Sequence, residues 1–265
     1  MPVSNVMETL TSGMISNQER QDIISNNLAN VNTRGYKKDI TVQRSFNKIF
    51  ENTQRSMKAR NLHDSIYYTS SEFYIPSFTH EVKTNFEQGG LEETNNSLDC
   101  AISGNGFFTI QTEDGPKYTR NGSFMLNENN ELITSHGYRV LSENTESGED
   151  VPIVINGKNI TLLSDGTIQA DGINVGKMQI VEFDNYDLLK KSEKSLYEYQ
   201  GNKSDIHNAG DPKIEQGYVE RSNVNAINEM TDILQNSKQY ELAGKSFKAV
   251  EQTLSRAITE LGKFK

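Results

Sequence analysis

Ala226, Ile233, Tyr240, Phe247, Leu254 and Leu261 recur at unbroken seven-residue spacing through the C-terminal part of this chain. Seven residues are close to two turns of α-helix, so these side chains fall along one slowly winding stripe of a single long helix. Met230 and Ile258 flank the stripe from a second heptad position, and Val250 and Ala257 lie beside it. Lys238, Lys245, Lys248, Glu251 and Glu260 occupy the remaining faces. So narrow a seam marks a helix packed on other long helices; a helix buried in a globule is apolar over a wider arc.

The other end carries a weaker version of the same pattern. Met7, Leu10, Met14, Ile24 and Leu28 share one heptad frame, interrupted by Asn17 and Gln21 on the same stripe. This predicts a helix over 1–30, with Asn5 and Glu8 spaced as a capping pair. Periodicity stops after Leu28. Asn30 and Asn32 tolerate helix-ending conformations and Gly35 carries no side chain to clash, so a sharp turn is expected there. Tyr36, Ile40 and Val42 then read as extended chain, with a helical turn expected around Phe46, Ile49 and Phe50. Residues 51–80 mix Lys, Arg and Ser with Tyr67, Tyr68, Phe73 and Tyr74 without a sustained period, and read as a connection.

From Glu81 to Phe183 the period shortens. Asn105-Gly106, Asp114-Gly115, Asn121-Gly122, Asn156-Gly157, Asp165-Gly166 and Asp171-Gly172 all suit tight turns needing positive φ. Between them lie strand-like runs at 106–110, 151–155, 160–163 and 178–183, which predict an all-β region, sandwich-like or barrel-like. Residues 185–213 read as a charged, irregular return. The fold class expected is therefore α+β: terminal helices over 1–32 and 216–265 pairing as a coiled coil, a connecting segment over 33–80, and a central β domain over 81–215. Two isolated helices of this polarity are marginal in water. Packing on neighbouring chains and an ordinary helical hairpin on the chain's own sheet both answer that need.

Composition narrows the functions. The 265 residues carry 27 basic and 36 acidic side chains, a net charge of −9. That balance disfavours nucleic acid as the main partner, since phosphate binding needs a basic face. Mean hydropathy is −0.68, low for a self-contained globule, whereas 11 phenylalanines and 11 tyrosines argue against wholesale disorder. No apolar run is long enough to span a membrane, and the N-terminal residues lack the pattern of a cleavable secretory signal. The single cysteine, Cys100, sits among apolar neighbours and reads as core.

Sites for chemistry are sparse. Gly244-Lys245-Ser246 resembles the end of a phosphate-binding loop, but the required upstream glycine is Gln239 and the residues continue the helical seam. Gly104-x-Gly106 lacks a third glycine and reads as a hairpin opening. His63, His80, His136 and His207 are scattered, with no spacing suited to zinc. Asn127, Asn129 and Glu131 alternate oxygen-bearing side chains without the calcium-loop glycine, so a polar hairpin tip is expected. Neither a nucleophile elbow nor a zinc-protease helix is present, and the reading is of a non-enzyme with no cofactor, metal or catalytic residue.

One residue string is more specific than any of these patterns. Ser25-Asn26-Asn27-Leu28-Ala29-Asn30, Asn32-Thr33 and Gly35-Tyr36-Lys37 resemble the N-terminal signature of bacterial flagellar axial proteins, the rod and hook family. Two further blocks support the resemblance. One runs through Gln88-Gly89-Gly90-Leu91, 94–99, 102–108 and Tyr118-Thr119-Arg120-Asn121-Gly122-Ser123-Phe124. The other comprises Gln216-Gly217-Tyr218-Val219-Glu220, Ser222-Asn223-Val224-Asn225, Glu229-Met230 and Tyr240-Glu241. The chain departs from the family at Ser237-Lys238-Gln239, where a Gln-Arg pair is common, and at Cys100.

The resemblance implies a self-assembling structural subunit of the basal-body rod, exported without a cleaved signal and partnered by copies of itself and by other rod and hook axial proteins. It also implies that terminal helices of many copies surround an export channel, with the β domain further out. Membrane insertion is not expected. The seam residues expected to carry assembly are Met7, Leu10, Met14, Ile24, Leu28, Met230, Ile233, Tyr240, Phe247, Leu254, Ile258 and Leu261; Asn26, Asn27, Leu28, Ala29, Asn30, Asn32, Thr33, Gly35 and Tyr36 form the signature. A β-domain module binding glycan, peptidoglycan or protein, oligomerised by its helices, is the alternative, and a hydrolase built from distant carboxylates is a third reading.

Overall fold

Two long helices bracket a region of short strands in the computed structural model, which describes residues 3–45, 78–143, 151–210 and 212–261. The first helix, α1, spans Val3–Ala29 and the second, α2, spans Ala226–Leu261. Asn5 is not a cap: it lies inside α1, whose described span already begins at Val3. Strand Asp39–Ser45 pairs with Phe78–Thr84 as a two-stranded ribbon, so both ends of the expected connecting segment are ordered. The turn expected at Phe46, Ile49 and Phe50 lies outside the described residues, as do residues 51–77.

The chain divides into two units. One holds the described parts of 1–28, 39–83 and 226–265, hence both helices and most of the ribbon. The other holds Ala29–Lys38 and the described parts of 84–225.

In the helical unit, α1 and α2 run antiparallel. Asn27 meets Glu229, while Asn17 and Gln21 meet Asn236. Met7, Thr11, Ile15 and Glu19 on α1 line an open groove of about 460 Å³ together with Phe247.

The second unit is built on a ten-stranded sheet that stays open rather than closing into a barrel. At its centre Phe107–Thr112 pairs with Gly115–Thr119, with Arg139–Ser142 and with Ile180–Phe183. One face buries Cys100, Ile102, Phe108, Ile110, Val140, Ile168 and Ile180. The other buries Phe107, Tyr118, Phe183, Leu189 and Tyr197, with rings meeting edge to face: Phe107–Tyr197 centroids are 5.6 Å apart and Tyr118–Phe183 are 4.8 Å apart. Burying aromatics at these angles adds roughly 0.5–1.5 kcal/mol per pair beyond area alone. Cys100 is core, and burial pushes its thiol far above the ordinary range.

Residues 185–213 are not an irregular return. They contain strands Leu189–Lys191, Leu196–Tyr199, Ile206–Asn208 and the start of Lys213–Gln216, and they deliver Leu189, Leu196 and Tyr197 to the core. Strands of three or four residues show too little alternation to stand out among lysines and acids.

Two of the six turn glycines also work differently from expectation. Gly106, Gly115, Gly166 and Gly172 have positive φ, but Gly122 and Gly157 do not. A Cβ on Gly122 would overlap the Cys100 carbonyl, and one on Gly157 would sit 2.8 Å from the Ala170 side chain. These two glycines permit close approach of two chain segments rather than a left-handed turn. Asn127 does cap a polar hairpin tip, accepting from the Asn129 and Glu131 amides.

Candidate functional site

Asn30 and Thr33 close the turn after α1: the Thr33 amide bonds to the Asn30 carbonyl at 3.1 Å, and its hydroxyl bonds to the Asn30 side chain. Gly35 then takes φ +67° and donates its amide to the Glu220 carbonyl. Its Cα lies so near the Arg120–Asn121 backbone that an added Cβ would stand 2.6 Å from the Arg120 carbonyl carbon. The glycine is therefore required twice, for its dihedral and for contact. Tyr36 is buried, with the Lys191 ammonium 4.0 Å from its ring centre.

Lys37 follows, only 1% exposed. Its Nζ donates to Glu220 Oε1 and to the Glu87 carbonyl, the latter at 2.8 Å. Glu220 Oε1 also accepts from the Gly89 amide at 2.8 Å, and Arg120 Nη1 stands 3.7 Å from Glu220 Oε2. The Arg120 guanidinium lies 5.0 Å above the Phe107 ring. Two cations thus share one carboxylate out of reach of water. Burial pulls the Lys37 pKa below its usual value; Glu220 opposes that shift and Arg120 adds to it. Burial likewise lowers Arg120 against the attraction of Glu220. Removing one member of such a buried group typically costs about 3–5 kcal/mol, because the remaining charge is left uncompensated.

Polar side chains stitch the same place together. Asn223 Oδ1 accepts from the Lys38 amide at 2.7 Å, while its Nδ2 donates to the Asn85 and Glu87 carbonyls. Gln88 spans Ile102 and Gly104. Gly89 has no room for a side chain, since a Cβ there would overlap the Arg221 carbonyl. The returning strand Tyr218–Glu220 pairs with Leu91–Glu93, and Lys213–Gln216 pairs with Cys100–Ser103. Three stretches far apart in sequence meet at Glu220.

Of the signature residues, Asn27, Gly35 and Tyr36 are buried, Leu28, Asn30 and Thr33 are half-buried, and Asn26, Ala29 and Asn32 are exposed. Asn27 belongs to the helical unit. Its amide side chain bonds both ways to the Asp39 backbone, at 2.9 and 2.8 Å, extending the strand pattern onto α1. Of the seam residues, Ile24 is buried. Met7, Leu10, Met14, Leu28, Ile233, Phe247 and Leu254 are half-buried, and Met230, Tyr240 and Ile258 are exposed. The Leu261 side chain lies outside the described residues. Asn17 and Gln21, which interrupt the apolar stripe, are where α1 receives Asn236 of α2: the Asn236 amide donates to the Asn17 carbonyl at 2.7 Å and to Gln21 Oε1 at 2.8 Å.

Sequence reasoning did not single out Lys37, Arg120, Glu220, Asn223, Glu229 or Asn236 as site residues. A signal was available for two of them: Lys37 directly follows Tyr36 and Glu220 directly follows Val219, residues suited to burial, and a buried charge demands a partner.

Each of the three charges falls in a different segment with known relatives. Residues 7–37 match the flagella basal body rod protein family, 101–170 the flagellar hook protein FlgE/F/G D1 domain, and 215–260 the flagellar basal body rod FlgEFG protein C-terminal family. Over its length the chain is 32% identical across 259 residues to flagellar basal-body rod protein FlgG of Buchnera aphidicola subsp. Schizaphis graminum, covering 92% of this chain and 95% of that protein. The chain belongs to the flagellar basal-body rod protein family. It is also 29% identical over 262 residues to rod protein FlgF of Caulobacter vibrioides, covering 98% and 99% of the two chains. The same identity links it over 273 residues to flagellar hook-basal body complex protein FlhO of Bacillus subtilis. The protein is a structural subunit of the basal-body rod, and the convergence at Glu220 is the point where its three family segments are joined.

Proposed function

We propose that this rod subunit polymerises through α1 and α2, whose apolar stripes are completed by neighbouring copies, with other rod and hook axial proteins continuing the shaft. The two helices pair as a coiled coil, and copies of them line the shaft around the export channel. One observation carries this reading. On α2, Ile227, Met230, Leu234, Leu242 and Ile258 remain between 53% and 75% exposed in the single chain. A 36-residue helix with so much uncovered apolar surface is incomplete alone, and the burial available from a neighbour is worth about 25 cal/mol per Å².

Contacts of this kind are head-to-tail: the surface offered differs from the surface received, so they propagate a helix instead of closing a dimer. Torque then passes through many shallow contacts, and the β-rich unit supplies a stiff body. Phe247→Asp and Leu254→Asp test the reading. Each is expected to abolish concentration-dependent polymerisation in sedimentation while β content by circular dichroism stays unchanged. Polymers of normal stability from either variant would refute the assignment of the seam.

A further inference from the structure

Lys37 and Arg120 are both fully buried in the β-rich unit, and among the described residues Glu220 is the one carboxylate within ion-pair distance of either. It comes last in the chain, 183 residues after Lys37. Until strand Tyr218–Glu220 has paired with Leu91–Glu93, folding Lys37 against Arg120 would bring two like charges into a dry site with no counter-charge. The same returning segment supplies the Glu220 carbonyl that receives Gly35 and the Asn223 side chain that receives the Lys38 amide. Earlier segments also touch residues 34–38, through the Glu87 carbonyl on Lys37, the Asn85 amide on the Lys38 carbonyl and Lys191 on the Tyr36 ring, but none of these contacts brings a carboxylate to Lys37.

We infer that Lys37, Arg120 and Glu220 form a seating lock, in which the N-terminal signature segment docks on the β-rich unit only after the C-terminal return strand has delivered its carboxylate. The segments leading out of α1 and into α2 are thereby fixed in one step. A subunit whose C-terminal part is missing or late leaves its signature segment unseated. If the helices assemble as proposed above, the lock confines assembly to complete chains; the lock itself belongs to the isolated subunit and does not depend on that reading.

Refolding of the full chain, followed by pulsed hydrogen exchange at concentrations where it is monomeric, tests this directly. The Asn85 amide, bonded to the Lys38 carbonyl at 2.8 Å, reports seating, and the Arg221 amide, bonded to the Gly90 carbonyl at 2.9 Å, reports the return strand. Protection of Asn85 is expected to appear in the same phase as that of Arg221. Protection of Asn85 in an earlier phase would overturn the inference. Native-state exchange of variants separates charge from shape. Glu220→Gln is expected to lower Asn85 protection at least tenfold, and adding Lys37→Met to it to recover at least threefold, because one uncompensated cation is removed. A double variant as unprotected as the product of the two single losses would contradict the lock. Should Glu220→Gln fail to fold, the order of phases in the unsubstituted chain decides alone. Polymerisation is read separately by sedimentation, so failure of the lock and failure of the assembly reading are distinguishable.

Discussion

The two units of this chain solve the burial problem in opposite ways. The β-rich unit hides Phe107, Phe108, Ile110, Val140 and Leu141 completely and packs Phe107 and Phe108 edge to face against Phe183 and Phe124. The helical unit is longer in regular structure per element, yet Ile24 is the one apolar side chain of α1 and α2 that is fully buried among those described. Its buried polar side chains, Ser16, Asn27, Glu229 and Asn236, outnumber that single apolar one. A body that is finished alone and a pair of helices that is not make sense together in a subunit whose surroundings are other subunits. The difference also locates the apolar burial: among the described residues, every fully buried apolar side chain except Ile24 lies in the β-rich unit.

Large-to-small substitutions sharpen the contrast most. Phe108→Ala, in a site with no exposure, is expected to destabilise the β-rich unit by about 3–5 kcal/mol in urea unfolding. Leu254→Ala on half-buried α2 is expected to change monomer stability by less than about 1 kcal/mol. Equal losses would erase the distinction between the units.

A smaller effect concerns pH. Burial lowers the Lys37 pKa in the folded chain relative to an ordinary lysine. Between that lowered value and the usual one of about 10.4, the unfolded chain binds more protons than the folded one, so this group makes stability rise with pH in that window. Tyr186, raised chiefly by burial, works in the opposite sense at similar pH. The contribution of Lys37 is therefore the difference between the parent chain and Lys37→Met: the parent's stability should climb more steeply, or fall less steeply, with rising alkaline pH. Identical slopes would mean that Lys37 is not held in a dry site.

Much of this architecture was legible from residue patterns. The C-terminal seven-residue spacing marked α2, the Asn/Gly turn marked the end of α1, and the glycine-paired turns marked the β region. Chain period reveals faces, however, not partners. Asn17 and Gln21 read as flaws in an apolar stripe, yet they are the groups that receive Asn236. Strands such as Leu189–Lys191 carry one buried side chain each and so leave almost no alternation to detect. The junction of Lys37, Arg120 and Glu220 was hidden for a different reason, since nothing local links residues so far apart in sequence. Gly122 and Gly157 looked like turn residues because glycine needed for close approach and glycine needed for positive φ are the same letter.

The smallest expected change is also the most selective. A buried polar residue between helices commonly fixes register while weakening the pair. Asn236→Leu should leave monomer stability unchanged or raise it by up to about 1 kcal/mol, while broadening the amide resonances of α1 as alternative registers become accessible. Sharp, unshifted spectra would assign register to the apolar seam alone.

The central claim, that the helices are left unfinished in the single chain, is tested most directly by amide exchange along Ala226–Leu261 before and after polymerisation. In the monomer, amides in the C-terminal half of α2 should exchange about a hundredfold faster than those of Phe107–Thr112, and they should slow to comparable rates as polymers form. Helix amides as protected as the central strand in the monomer, and unchanged on assembly, would contradict it.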